Sequence, residues 1–202
     1  MEQRSEEWFK ARKGRVTGSA VGAILNLSPF SNEKDTMRRM VRDWHGAPRE
    51  FIGSFATDWG VAHETGAISQ FEMSTGVTVE KCGFYEYEDW LGASPDGLVG
   101  ATGLVEVKCP FGLRNNPKPV FKTAKMQPHY YAQMQVQLYV TNRSVCYFYQ
   151  WAPNGDELEI VKFDKDYMDT IYKPLRMFYE QYLIEREMPN AEKYLDGQEI
   201  DI

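Results

Sequence analysis

The stretch SPDGLVGATGLVEVKCP, Ser94 to Pro110, constrains this chain more than any other. Val105, Val107 and Cys109 alternate with Glu106, Lys108 and Pro110. Alternation at period two is the pattern of a half-buried strand, so Glu106 and Lys108 share one face and the valines the other. Gly100 to Gly103 is turn-like and folds the preceding residues back as a hairpin. Asp96 then sits near Glu106 across two strands.

Two carboxylates within reach of each other are hard oxygen ligands suited to Mg2+ or Mn2+. A lysine beside them holds or activates a water, or stabilises charge on a phosphate. An aspartate, a loop and Glu-x-Lys therefore form the pattern that a metal-dependent phosphodiesterase needs. A Glu-x-Lys on a strand is also an ordinary solvated face, and the remainder of the chain has to decide between the two.

The 202 residues suffice for one domain, 1–202, with a sizeable core. No apolar run of membrane-spanning length occurs, and the charged opening MEQRSEEWFKARKGR lacks the apolar core of a secretory signal. Cys82, Cys109 and Cys146 form no CxxC pair, which points to a reducing compartment, and His45, His63 and His129 show no zinc spacing with them. The net charge of −6 argues against a protein that simply coats DNA. The charge is unevenly spread, however. Phe111 to Pro128 carries Arg114, Lys118, Lys122 and Lys125 without an acid, while Glu180, Glu185, Glu187, Glu192, Asp196, Glu199 and Asp201 crowd the C-terminal end.

Taken in order, Ser5 caps a short helix with Glu6 and Glu7 in its first turn. Thr17 or Ser19 caps a second helix through Leu25, an anion site that Arg12 can join. Asn32 caps a helix to about His45, on which Arg38 and Arg42 share a face. Gly46 to Gly53 reads as a linker, and a longer helix covers Phe55 to Ser74 with Glu64 inside it. Val77–Cys82, Gly83–Glu88 and Trp90–Ser94 read as short strands. Pro128 opens a helix to Tyr139 in which Gln133 and Gln137 share a face and Gln135 lies on another. Ser144–Trp151 and Leu158–Phe163 form a hairpin across Pro153-Asn154-Gly155-Asp156. Lys165–Glu187 is a last helix, kinked at Pro174, and an acidic tail over 189–202 follows. The expected class is α/β, a mixed central β-sheet flanked by helices.

The motifs in this order resemble the lambda exonuclease family, also described as YqaJ-type viral recombinase nucleases, of the restriction-endonuclease-like PD-(D/E)xK superfamily. The resemblance runs from about Trp8 to Glu187. It rests on Trp8 with Arg12, Val16-Thr17-Gly18-Ser19, Trp59-Gly60 with Glu64, Ser94-Pro95-Asp96-Gly97, Glu106-Val107-Lys108-Cys109-Pro110-Phe111 and Ala132-Gln133-Met134-Gln135. It implies that Asp96, Glu106 and the Val107 carbonyl hold the metal, a pair of Mg2+ ions with Mn2+ as a substitute. It implies that Lys108 orients or deprotonates the attacking water, and that Glu64 and Gln133 lie beside the centre. Arg12, Ser19 and Ser94 match positions that grip a 5′-terminal phosphate. The implied activity is processive 5′→3′ digestion of double-stranded DNA. It releases mononucleotides and leaves a 3′ strand for a single-strand annealing recombinase. The implied assembly is a homotrimeric ring around DNA, in the cytoplasm of a bacterial host, with the basic loop lining its channel. A structure- or sequence-specific endonuclease on the same fold and a non-catalytic DNA-binding recombination scaffold are the competing readings.

Overall fold

A computed structural model describes residues 2–47 and 54–195. Residues 48–53 of the expected Gly46–Gly53 linker and the end of the acidic tail, 196–202, lie outside the described residues.

Local signals set most element boundaries. Helix α1 (Glu6–Arg12) starts where Ser5 Oγ accepts from the Trp8 amide at 3.2 Å. The expected second helix is only four residues, α2 (Val21–Ile24), reached from strand β1 (Val16–Thr17) through a single 3-10 turn. Neither Thr17 nor Ser19 caps it; their hydroxyls face each other at 3.3 Å. Asn32 opens α3 (Glu33–Trp44) with a reciprocal capping box to Asp35. Helix α4 (Phe55–Thr75) stops at Gly76, whose φ of +70° is the left-handed C-cap that glycine adopts freely.

The three strands expected next shrink to two, β2 (Tyr85–Tyr87) and β3 (Leu91–Ala93). Val77–Cys82 is not a strand. It meets strand β4 (Gly97–Val99) at one bridge, Glu80 with Leu98, because the Val79 amide is taken by the Glu72 side chain at 2.7 Å. Strand β5 (Gly103–Lys108) follows, then helix α5 (Pro128–Thr141), strands β6 (Val145–Ala152) and β7 (Gly155–Lys162), and helices α6 (Lys165–Glu185) and α7 (Glu192–Leu195). The β6–β7 turn is tighter than expected, since Ala152 already pairs with Gly155. Helix α6 runs through Pro174 without interruption.

The architecture is α/β as anticipated, with its strands in two mixed sheets flanked by helices. One has the order β1-β3-β2, the other β4-β5-β6-β7, with β5 and β6 parallel and their outer neighbours antiparallel. Helices cover both faces of β5. Val105 and Val107 pack on Ala67 and Phe71 of α4, while Leu104 packs on Met134 and Leu138 of α5. A third core joins Val16, Val21, Val41, Trp90, Leu175 and Tyr182, tying α2, α3 and α6 to the smaller sheet. Of the acidic end segment, residues up to Leu195 are docked: Ala191 is buried, Tyr194 accepts from Arg42 at 2.9 Å and Lys193 pairs with Glu185 at 2.6 Å.

Candidate active site

The alternation along β5 sorts its side chains as the sequence implies, but the strand is buried on both faces instead of half-buried. Glu106 therefore lies under α5 with 1 % of its surface exposed. A buried carboxylate must be hydrogen-bonded or neutralised, and this one is clasped on both oxygens. Its Oε1 accepts from Lys108 Nζ at 2.5 Å and from Gln133 Nε2 at 2.7 Å; its Oε2 accepts from Gln137 Nε2 at 2.7 Å. The Lys108 ammonium also lies 4.6 Å from the centre of the Tyr130 ring, within cation–π range.

Asp96 occupies the bend before β4. Its amide donates to the Val105 carbonyl at 3.1 Å, and its Oδ2 accepts from the Val107 amide at 2.6 Å. The side chain thus completes the strand ladder and fixes Asp96 beside Glu106, as the hairpin requires. Burial, then the charge of Glu106, pushes the Asp96 carboxyl well above its ordinary value, with Lys108 pulling the other way. Burial lowers the basicity of Lys108, but Glu106, Tyr130 and Asp96 outweigh it, so the lysine is held protonated. Burial, then Glu64 and Asp96, push the Cys109 thiol up to about 12.

Among the described residues no three His, Cys, Asp or Glu side chains converge on one metal-sized point. Glu64, on α4, is close enough to raise the Asp96 carboxyl, yet its own oxygen pairs with Arg4 at 3.2 Å. The donor set nonetheless suits a hard cation. Two carboxylates face a single lysine, all the donors are oxygens, and Gln137 Oε1 is buried with no hydrogen-bond partner among the described residues.

The predicted phosphate-gripping residues gather at the N-terminal helix. Arg12 Nη2 lies 3.4 Å from Ser19 Oγ, and its guanidinium stacks 4.0 Å over the Trp8 ring. Trp8 Nε1 donates to Ser94 Oγ at 2.8 Å, two residues before Asp96. Trp8 is thus the link between Arg12 and Ser94, a role its place in the motif did not announce. Gln137 and Tyr130 were likewise missed as site residues, although the four-residue spacing of Gln133 and Gln137 was the available signal. Gln135 points elsewhere, donating to the Lys162 carbonyl at 2.9 Å and accepting from the Asp164 amide at 2.8 Å.

The basic loop is an ordered strap. Arg114 stacks on Phe111 at 3.6 Å, and the Lys122 carbonyl accepts from both Gln127 and Gln150.

The chain is 27% identical to an alkaline exonuclease, LHK-Exo, from Laribacter hongkongensis; the match covers 94% of this chain and 98% of that one, with a TM-score of 0.75. A second crystal structure of LHK-Exo, in complex with dAMP, matches over the same shares with a TM-score of 0.76. A phage-related exonuclease from Haemophilus somnus 129PT shares the fold at 18% identity and a TM-score of 0.67, over 86% of this chain and 96% of that one. An uncharacterised protein of Acanthamoeba polyphaga mimivirus is 28% identical over 163 residues, 74% of this chain; the match spans only 29% of that longer protein. Residues 7–144, which carry Arg12, Asp96, Glu106, Lys108 and both clasping glutamines, match the model of the YqaJ-like viral recombinase domain, and the chain belongs to that family.

Proposed function

We propose that this chain is a Mg2+-dependent double-stranded DNA exonuclease that digests processively in the 5′→3′ direction. It releases 5′-mononucleotides and leaves a 3′ overhang for a single-strand annealing recombinase. The observation that carries this reading is the clasp on Glu106, with Asp96 and Lys108 in contact range and the Arg12–Ser19 and Trp8–Ser94 pairs alongside. The similarity to an alkaline exonuclease over nearly the whole of both chains supports it.

Asp96, Glu106 and the Val107 carbonyl would hold two Mg2+ ions, whose Lewis acidity would activate water and neutralise the reacting phosphate. Gln133 and Gln137 keep the Glu106 carboxylate aimed. Lys108 sets a positive charge beside the scissile phosphate. Arg12, Ser19 and Ser94 grip the terminal 5′-phosphate, so only a phosphorylated 5′ end brings the next phosphodiester into register, and the direction of digestion follows. Processivity would come from a homotrimeric ring, with Lys118 and Lys122 facing the DNA. No described helix is long and apolar enough to cross a membrane, and the cytoplasm of a bacterial host is the proposed setting.

The test is digestion of a linear 5′-phosphorylated duplex, its 5′-hydroxyl counterpart and a closed circle in Mg2+. The linear phosphorylated duplex should disappear first and the circle should persist. Rapid cutting of the circle would sink the exonuclease reading in favour of an endonuclease. Lys108→Ala should slow digestion by at least about a hundred-fold.

A further inference from the structure

The residues that precede α1 tie the Asp96 segment to α4. Gln3 Nε2 donates to the Pro95 carbonyl at 2.7 Å, one residue before Asp96, and to the Cys82 carbonyl at 3.2 Å. Two residues on, Ser5 caps α1, and its amide donates to the Glu2 carbonyl at 3.3 Å. Arg4 stands between these anchors at a φ of +68°, in the left-handed region that residues with a Cβ adopt uncommonly. Such backbone persists where its surroundings over-determine it, and it collects at clamps and switches. Held so, Arg4 reaches 60 residues along the chain to Glu64 on α4, Nη2 to Oε2 at 3.2 Å. The pair differs from Glu6–Lys10, Lys165–Asp169 and Arg176–Glu180, which each join residues one turn apart on a single helix. Glu64 is also the third carboxylate of the neighbourhood. Its charge adds to burial and Glu106 at Asp96, yet among the described residues it does not converge with those two on one metal-sized point.

We infer that Arg4 is a latch on Glu64: its guanidinium and a divalent cation compete for the same carboxylate, so Glu64 serves the metal only when Arg4 lets go. A carboxylate that ligated a dication while paired with arginine would bring the two positive groups together, and they repel at that range. The pairing also shields Asp96 from a further negative charge. Metal loading then becomes an exchange, in which one guanidinium leaves Glu64 as one divalent cation arrives. Arg4 is a positioning residue in this scheme, since it acts through Glu64. The inference rests on the proposed metal centre.

The test is Mn2+ binding to the full chain without DNA, followed by the EPR signal of the free ion. The proteins compared are the parent, Arg4→Gln, Arg4→Lys, Glu64→Gln and the variant carrying both Arg4→Gln and Glu64→Gln. Arg4→Gln should bind Mn2+ about two- to five-fold more tightly than the parent, the range set by releasing one partly exposed ion pair; the two side chains are 52 % and 32 % exposed. Arg4→Lys should return to the parent's affinity. Glu64→Gln should bind more weakly, and adding Arg4→Gln to it should change nothing, because the latch then has no carboxylate to hold. An Arg4→Gln affinity equal to or below the parent's would overturn the inference, as would an unchanged affinity in Glu64→Gln. An equal gain from Arg4→Gln in both backgrounds would overturn it too, since Arg4 would then act as a general field and not through Glu64. Asp96→Asn, measured alongside, reports on the centre itself. If it binds Mn2+ as the parent does, or if the parent binds none, the metal centre fails and the latch with it. Binding that needs Asp96 but ignores Arg4 sinks the latch alone.

Discussion

Asp96→Asn should make the metal-free protein more stable while abolishing digestion. The substitution is nearly isosteric, and the asparagine Oδ1 can accept from the Val107 amide as Asp96 Oδ2 does at 2.6 Å. What it removes is one of two buried negative charges that raise each other's cost. Two like charges on adjacent strands, roughly 5 Å apart, repel by about 3 kcal/mol at an effective dielectric near 20. Lys108, paired with Glu106, gives part of that back to Asp96, so a net gain of about 1–2 kcal/mol is expected. For a chain of this length that corresponds to a melting point higher by roughly 2–8 °C. Asp96 also sets the sign of the pH dependence. Its folded carboxyl is raised, so between the unfolded value near ~3.9 and the folded one the native state binds the extra proton. Stability from this group is therefore lost as the pH rises through that window, and the variant should gain most over the parent above it. The assay is thermal melting in EDTA and in Mg2+, at acid and alkaline pH. The parent should be stabilised by Mg2+ and the variant far less. A variant that melts below the parent in EDTA at pH 8 would refute the claim that the carboxylate pair is strained without a cation.

Further outcomes follow from the structure. Gln137→Leu should reduce digestion by roughly ten- to a hundred-fold, since it removes a hydrogen bond to a buried charge. Gln135→Leu should leave the rate intact and lower the melting point instead; a loss of rate in the second variant alone would reverse the assignment. Asp164 is depressed by the Tyr167 amide, then by the Tyr131 hydroxyl. Its contribution is complete above the unfolded value near ~3.9 and lost as the pH falls through the folded one, so denaturant titrations of Asp164→Ala and the parent should differ at pH 7 and converge near pH 2. Arg12→Gln should erase the preference for 5′-phosphate over 5′-hydroxyl ends in initial-rate measurements, with binding to internal duplex unchanged.

The helix boundaries were legible because their causes are local. Ser5 and Asn32 cap with their own side chains, Pro128 needs no amide partner, and Gly76 supplies the left-handed residue. Val77–Cys82 looked like a strand because β propensity is visible in sequence while the absence of a ladder partner is not. The alternation in β5 correctly put Glu106 and Lys108 on one face. It could not show that α5 lies over that face, because a helix distant in sequence supplies the cover. The glutamines make the same point. A motif written as Gln-x-Gln suggests a functional pair, but successive helical residues turn by about 100°, so Gln135 faces β7 while Gln137, a full turn from Gln133, reaches Glu106. Ser19 was sought as a cap and is found under Arg12 instead, since a four-residue helix after a 3-10 turn offers it no amide.

Helix α5 touches the β4–β5 hairpin at both ends. Gln133 and Gln137 hold Glu106 at one end, and just past the helix Arg143 Nη1 reaches the carbonyls of Gly100 and Gly103, at 2.8 and 2.5 Å, at the turn. The hairpin is therefore splinted lengthwise by one rigid rod. A lengthened or shortened turn would work against the arginine before it disturbed the carboxylates. Damage at the Gly100–Gly103 corner would then reach Glu106 as a tilt of α5, and an engineered loop there would have to keep both carbonyls on Arg143 to leave the chemistry untouched.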